Sequence, residues 1–495
     1  MNIILVLFDS LNKASLEPYG APFGRTPNIK KFAEKGISFS NHYVGSLPCV
    51  PARRELFSGR KDFLFRGWGH LEAFDLPLPQ LLEKKGYKTQ IITDHYHYWE
   101  KGAHGYIESF QGCELVRGQE TDPWIISEIS ELPKEFQILT KYRDREQVLR
   151  YYQNVKNFKD EEDFPSPKVL KAASKWIKEN KELKPFFLQV ECFDPHEPWY
   201  SPEPYRSMWT KNIHKNYNFW PPYQDEDKMN EFFEKTSDEE LEFIRSQYAG
   251  KVSMIDKWFG VLMEAIGDSG IADETVIILT SDHGHDLGEH KSFGKSFPDW
   301  DEHANIPLFI QHPGYGTNQT ISALTTTVDL YSTILDFADV RNYSANNSQS
   351  IVPLLEKELN KIHEYVTYGR FGSGISITDG KVILMQGFNN DDFPLYEYTG
   401  TLAIPSLNAR IESGYFIPGV RLPVWKIPIK AGGKHDSLFF SKCSGKHEQN
   451  HLFSTEDEKV NVLRERLVKI MLEEGTPIEQ YARLGLKETR RGNIK

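Results

Sequence analysis

Cysteine is scarce in this chain of 495 residues. The four present, Cys49, Cys113, Cys192 and Cys443, lie far apart and form no C-x-x-C pair. Neither a thiolate zinc cluster nor a disulfide framework is in prospect. Long apolar runs are missing too, and nothing approaches the roughly 20 residues of a membrane span. The opening MNIILVLFDS has no basic lead-in and no small-residue cleavage site. With no export signal in view, the expectation is a cytoplasmic protein with no membrane partner. Positive charge is in deficit: 59 basic against 70 acidic residues, 59 − 70 = −11. That balance argues against nonspecific nucleic-acid binding, so an anionic substrate needs a local cluster of positive charge.

Apolar residues are present at 39% and charged residues at 26%, which supplies a sizeable core and excludes wholesale disorder. Four short β-rich runs end abruptly in polar residues. Asn2–Phe8 stops at Asp9, and Tyr87–Thr93 leads into Asp94, His95 and His97. Pro185–Cys192 runs into FDPHEPW, and Glu274–Thr280 into Ser281-Asp282-His283-Gly284. Amphipathic stretches separate them at Thr26–Glu34, Leu78–Lys85, Lys168–Asn180 and Glu239–Ile266. This alternation predicts an α/β fold: a large, mostly parallel, doubly wound sheet flanked by helices. Ligands of such sheets bind beyond the carboxyl ends of the strands, where all four polar clusters lie. From about Tyr365 the pattern changes to short strands, a Pro- and Gly-rich stretch over 404–433 and a helix near Glu456–Glu474. The division predicted is a catalytic α/β domain over 1–360 and a smaller C-terminal α+β domain with an antiparallel sheet over 361–495. Residues 122–167 and 208–223 read as excursions from the sheet.

The densest chemical signal is Cys49-Val50-Pro51-Ala52-Arg53, continued by RELFSGR. Pro51 suits the first turn of a helix, which places Cys49 at a helix N-terminus, where free N–H groups favour an anion. Arg53, one turn on, points back toward it. The C-x-P-x-R pattern resembles the site at which type I sulfatases, of the alkaline phosphatase-like superfamily, have their cysteine oxidised to Cα-formylglycine. Thr26-Pro27-Asn28, Asp282-His283-Gly284 and Phe293-Gly294-Lys295 are similar to further motifs of that family, so the resemblance spans most of the chain. Ser58 stands where the extended motif usually has threonine.

The resemblance implies hydrolysis of a sulfate ester, of a saccharide or of an aryl or alkyl alcohol, with a formylglycine-generating maturation enzyme as partner. It implies one divalent ion, Ca²⁺ first with Mg²⁺ or Mn²⁺ as alternatives, held by Asp9, Ser10, Cys49, Asp282 and His283. Ser10 occupies a position where the family usually has a second acidic or amide ligand. A mostly hard-oxygen donor set suits such ions better than zinc. Catalytic roles are implied for Cys49, Arg53, Lys295 on the sulfuryl group, and His196 on the leaving oxygen. Where the family commonly has Lys-x-His, this chain offers His95-Tyr96-His97 or, in another alignment, Asp94-x-Tyr96; His95 and His97 are the favoured pair. His70, His285, His290 and His303 are candidates for supporting roles. Trp199, Tyr200, Trp220 and Tyr223 are expected near the mouth, where they could stack on a sugar. A phosphonate monoester or phosphodiester hydrolase of the same superfamily and a non-catalytic scaffold are the alternative readings, and a homo-oligomer is compatible with the sequence.

Overall fold

The computed structural model describes the chain except residues 22–23, 101–102, 214, 224–225, 342–346, 402–410, 443–457 and 488–495. Cys443, part of the Pro- and Gly-rich stretch and the start of the helix expected from Glu456 fall outside the described residues.

Asn2–Phe8, Phe186–Cys192 and Thr275–Ser281 are buried along their whole length because helices cover both faces of the sheet they form. Alternation decides which face each residue meets. Ile4, Val6 and Phe8 join a core beneath the helices Pro27–Glu34, Pro165–Asn180 and Asp238–Asp268. Ile3 and Leu5 enter a second core beneath Cys49–Ser58, Leu78–Lys84 and Asp329–Phe337. The sheet has eight strands, in the order Gln319–Ile321, Ile37–Phe39, Leu308–Gln311, Thr275–Ser281, Asn2–Phe8, Phe186–Cys192, Lys88–Thr93 and Gly112–Leu115. Every pairing is parallel except those of Leu308–Gln311, which runs against both its neighbours.

Register brings the polar clusters together. Phe8 pairs with Cys192 on one side and Ser281 on the other, while Thr93 pairs with Glu191. The strands therefore end at one level, and their polar successors meet above a single edge. The long helix Asp238–Asp268 starts at Ser237, whose hydroxyl accepts the Glu240 N–H.

C-terminal to this lies a five-stranded sheet ordered Leu438–Ser441, Val382–Gln386, Ile375–Thr378, Val366–Arg370 and Ser46–Leu47. Its fifth strand comes from far back in the chain, immediately before Cys49. Ser46–Leu47 pairs in parallel with Gly369 and Arg370, and the other pairings are antiparallel. Val460, Leu463, Leu467 and Met471 of the helix Glu458–Glu473 pack with Ile375, Ile377 and Leu384 of this sheet. Among the described residues, no helix is long and apolar enough to cross a membrane.

Candidate active site

Helix Cys49–Ser58 is buried at every residue and aims its N-terminus at the carboxyl edge of the large sheet. Ligand atoms of Asp9, Cys49, Asp282 and His283 lie within 4.8 Å of one another. Cys49 Sγ is 3.1 Å from His283 Nε2, and His283 Nδ1 lies 2.8 Å from the Gly284 carbonyl. That second contact assigns the ring proton to Nδ1 and leaves the Nε2 lone pair facing the cluster. Burial pulls His283 down to about 3 against the attraction of Asp282, so the imidazole is neutral. Burial, then the charge of Asp282, drives the Asp9 carboxyl well above the usual range. Two facing buried carboxylates with a neutral imidazole lone pair form a donor set that fits a hard divalent cation.

Arg53 braces this cluster from behind. Its Nε donates to Glu191 at 2.5 Å, its Nη1 to Asp282 at 2.5 Å and to the Cys49 carbonyl at 3.0 Å, and its Nη2 to Asp9 at 2.9 Å. With every nitrogen engaged, the guanidinium holds the carboxylates rather than reaching into the cavity. The rest of the motif is structural. Arg54 donates to the Gly67 carbonyl and to Asp62, and Glu55 accepts the Ser46 N–H. The Ser58 hydroxyl donates to the Arg54 carbonyl at 2.6 Å, a task that needs a hydroxyl and no methyl group. Gly59 ends the helix at φ +64°, and a Cβ there would come within 2.5 Å of the Tyr331 ring.

A cavity of about 440 Å³ opens over Cys49, and His97, His196, Tyr223 and Lys295 help to line it. Lys295 Nζ donates to Ser10 Oγ at 3.2 Å, and Ser10 Oγ donates to Asp9 at 2.8 Å. The Ser10 hydroxyl thus links the lysine to the carboxylate, with its backbone held at φ +62°. Burial disfavours the Lys295 charge, but Glu197 and the other anionic groups nearby raise its pKa overall, so it stays cationic. His196 places Nδ1 2.7 Å from the Glu197 carbonyl and its ring against Phe193. Burial, against the pull of Glu197, holds its imidazole well below the ordinary range.

The Sulfatase family model matches residues 1–340, more than two thirds of the chain. The chain belongs to the sulfatase family. It is a sulfuric ester hydrolase. A sulfatase of Formosa agariphila is 24% identical over 411 residues, covering 76% of this chain and 77% of the relative. Arylsulfatase K of Xenopus laevis is 25% identical over 393 residues, covering 73% and 67%. In fold, the chain is similar to a phosphonate monoester hydrolase from Silicibacter pomeroyi, with a TM-score of 0.67, 17% identity and coverage of 95% and 94%.

The remaining predicted residues of this sulfatase separate into two groups. His97 reaches the cavity, with Nδ1 2.6 Å from Glu100 and Trp68 packed edge-on against its ring. His95 lies beneath the cavity wall, fully buried, with Nδ1 3.5 Å from Asp9. His285 Nε2 lies 3.0 Å from Glu197, and His303 lies between Asp286 and Asp299 at 3.1 and 3.7 Å. His290 stacks on Trp300 and His70 on His104, both away from Cys49. The expectation for the aromatics is corrected: Trp199 and Trp220 are fully buried. Trp199 donates to the Pro195 carbonyl and packs on Tyr248 and His285, while Trp220 packs between Tyr151 and Arg143. Tyr200 packs on Phe136 and Phe219, so of the four only Tyr223 lines the cavity.

Sequence reasoning passed over Glu191, Glu197 and Ser281. Glu191 sits inside a buried strand, two residues from Gln189, and two polar residues on one face of such a strand are a readable sign of a buried charge partner. Ser281 Oγ accepts the Leu11 N–H and lies within hydrogen-bond distance of the Phe8 and His283 carbonyls, which share its one proton, so it ties two strand ends together. Gly284 is required by close approach, because a Cβ there would meet the Glu302 carbonyl at 2.2 Å.

Proposed function

We propose that this sulfatase cleaves sulfate monoesters of saccharides, or of aryl or alkyl alcohols, with Cα-formylglycine at position 49. The observation that carries the reading is the meeting of Asp9, Cys49, Asp282 and His283 at one strand edge, with Lys295 in the cavity above. A divalent cation held by Asp9, Asp282, His283 and residue 49, with Ca²⁺ favoured by the hard donors, would acidify an attacking oxygen and neutralise sulfuryl charge. Hydrated formylglycine would supply both that oxygen and a second hydroxyl for releasing sulfate, which neither cysteine nor serine possesses.

The chain's own groups then divide the work. Arg53 fixes Asp9 and Asp282 at their spacing through Nη2 and Nη1, and is itself anchored through Nε on Glu191. Lys295, cationic and buried, grips the sulfuryl oxygens where charge grows in the transition state. His196 keeps Nδ1 on the Glu197 carbonyl and offers Nε2 to the leaving oxygen. An arriving sulfate ester brings a negative charge that favours the imidazolium, and the Glu197 carboxylate 3.2 Å from the ring does the same. His196 thereby gains the proton it must give up.

Phosphonate monoesters and phosphodiesters, tetrahedral monoanions of similar shape, are the second reading. The likeness in fold to a phosphonate monoester hydrolase supports it. Two measurements decide. The tryptic peptide carrying position 49, from protein made with a maturation system, should show an aldehyde in place of the thiol. Turnover on sulfated saccharides and aryl sulfates should exceed that on phosphonates and phosphodiesters. Full activity with an unmodified thiol would reject the formylglycine chemistry, and the reverse substrate order would reject the sulfate preference.

A further inference from the structure

The cationic groups around the cavity are each met by a carboxylate or a carbonyl, with one exception. Arg53 faces three carboxylates, and Lys295 lies 3.7 Å from Glu197. Arg143 donates from Nε and Nη2 to the Pro221 carbonyl at 3.1 and 2.6 Å, and lies in the fields of Glu197 and Glu120. Arg370 also lines the cavity, yet its Nε and Nη2 are shut off from solvent with no hydrogen-bond partner among the described residues. Among the described residues it forms no ion pair. Two desolvated guanidinium nitrogens without an acceptor are costly, and the cost disappears if a ligand anion fills the place.

Its position is fixed as firmly as that of Cys49. Arg370 is the last residue of the strand Val366–Arg370 and pairs with Leu47, two residues before Cys49. The cation is therefore fixed by a backbone ladder rather than carried on a free loop. It also approaches from the C-terminal sheet, whereas Lys295, Ser10 and the metal-type cluster all belong to the catalytic domain. Tyr223 lies in the fields of both Lys295 and Arg370, and the Lys295 ammonium is 5.6 Å from its ring. The transferred sulfuryl group has its cation in Lys295, which leaves Arg370 for a different part of the substrate. A planar fork of donors suits a second sulfate or a carboxylate, either of which it can bind with two parallel hydrogen bonds.

We propose that Arg370 is a specificity residue that reads a second anionic group on the leaving alcohol, so that the preferred substrates are sulfate esters of acidic or multiply sulfated sugars. The inference rests on the proposed sulfatase chemistry. The test compares kcat/KM for wild type, Arg370→Gln and Arg370→Lys on three matched probes: a glucose monosulfate, a glucose disulfate and a glucuronic acid monosulfate. Wild type should favour the probes with a second anion, and the better of the two identifies sulfate or carboxylate as the group read. Arg370→Gln should collapse that preference ratio by about 10- to 100-fold, the loss expected for a charge-assisted contact, with most of it in KM. Arg370→Lys should retain part of it. Because the glutamine variant removes an unmatched charge, its unfolding temperature should equal or exceed that of wild type. A preference ratio unchanged in Arg370→Gln overturns the proposal, whether the rates fall together or stay the same. So does a marked fall in its unfolding temperature, which would give Arg370 a structural role. Wild type that turns over phosphonate monoesters and none of the sulfate esters overturns the sulfatase reading itself, a distinct result.

Discussion

Glu191→Gln is the most searching test of how the site is held together, because it changes one buried atom and no shape. Three donors converge on this carboxylate: Arg53 Nε at 2.5 Å, the Tyr98 hydroxyl at 2.9 Å and Gln189 Nε2 at 3.0 Å. Arg53 meets one oxygen, and Tyr98 and Gln189 share the other. An amide has only one carbonyl oxygen, so its NH₂ must face either Arg53 or the other pair. At least one buried donor is left unmet, costing about 1–3 kcal/mol, and a charge-assisted bond worth about 1.5–3 kcal/mol is lost. Together these give about 3–5 kcal/mol, the range seen when a buried ion pair loses one partner. Arg53 also carries Asp9 and Asp282, so its tilt should spread to the cation site and lower activity about 10- to 100-fold, as loss of an outer-shell partner does. The assay is urea unfolding followed by tryptophan fluorescence, together with kcat/KM on an aryl sulfate. Tyr98→Phe is the companion, expected to cost only about 1.5 kcal/mol, the low end for a bond to a charged group, because the carboxylate keeps its charge and two donors. Glu191→Gln with wild-type stability and rate would refute the idea that Arg53 is held by three carboxylates.

Exhaustive chelation should abolish activity and Asp282→Ala should do the same; demetallated protein at full rate would remove the cation from the mechanism. His196→Ala should harm hydrolysis of a sugar sulfate far more than that of an activated aryl sulfate, since only the alkoxide needs a proton. Lys295→Ala should cost both substrates about 10²–10³-fold in rate, and equal losses on the two for His196→Ala would move the acid role elsewhere. A pH effect on stability centres on His303, where burial lowers the pKa but Asp286 and Asp299 more than reverse it, to about 9. The folded value lies above the unfolded one, so this stabilisation is complete below about pH 6.5 and is lost as pH rises through about 9. A shift of that size corresponds to about 3 kcal/mol. The stability gap between wild type and His303→Gln should therefore narrow from pH 6 to pH 9.5 in unfolding measurements, and parallel curves would refute the assignment.

The strands that build the site were readable because burial on both faces leaves unbroken apolar runs, and the residues that follow them are polar for a chemical reason. Asp9, His196, Asp282 and His283 could be found this way without knowing how the strands pair. Arg370 could not: no motif surrounds it, and its closeness to Cys49 depends on a parallel pairing with Leu47 that crosses most of the chain. The aromatics misled for a related reason. Trp199 and Trp220 look like sugar platforms when read as loop residues, but helix Asp238–Asp268 and the insert bury them. Ser10 was legible as a departure from the family pattern, whereas its link between Lys295 and Asp9 became visible only in three dimensions.

The pairing of Ser46–Leu47 with Val366–Arg370 also bears on the order of events during synthesis. Cys49 is 2% exposed in the finished fold, so the oxidation proposed for it would require a chain in which this segment is still open. The strand that closes over its lead-in emerges 370 − 47 = 323 residues later. At roughly 5–20 residues per second, a ribosome takes roughly 16–65 s to deliver it. Throughout that interval the segment carrying Cys49 lacks the neighbour that later seals it. Under the proposed formylglycine chemistry, the late arrival of one strand would act as a timer on the oxidation of position 49.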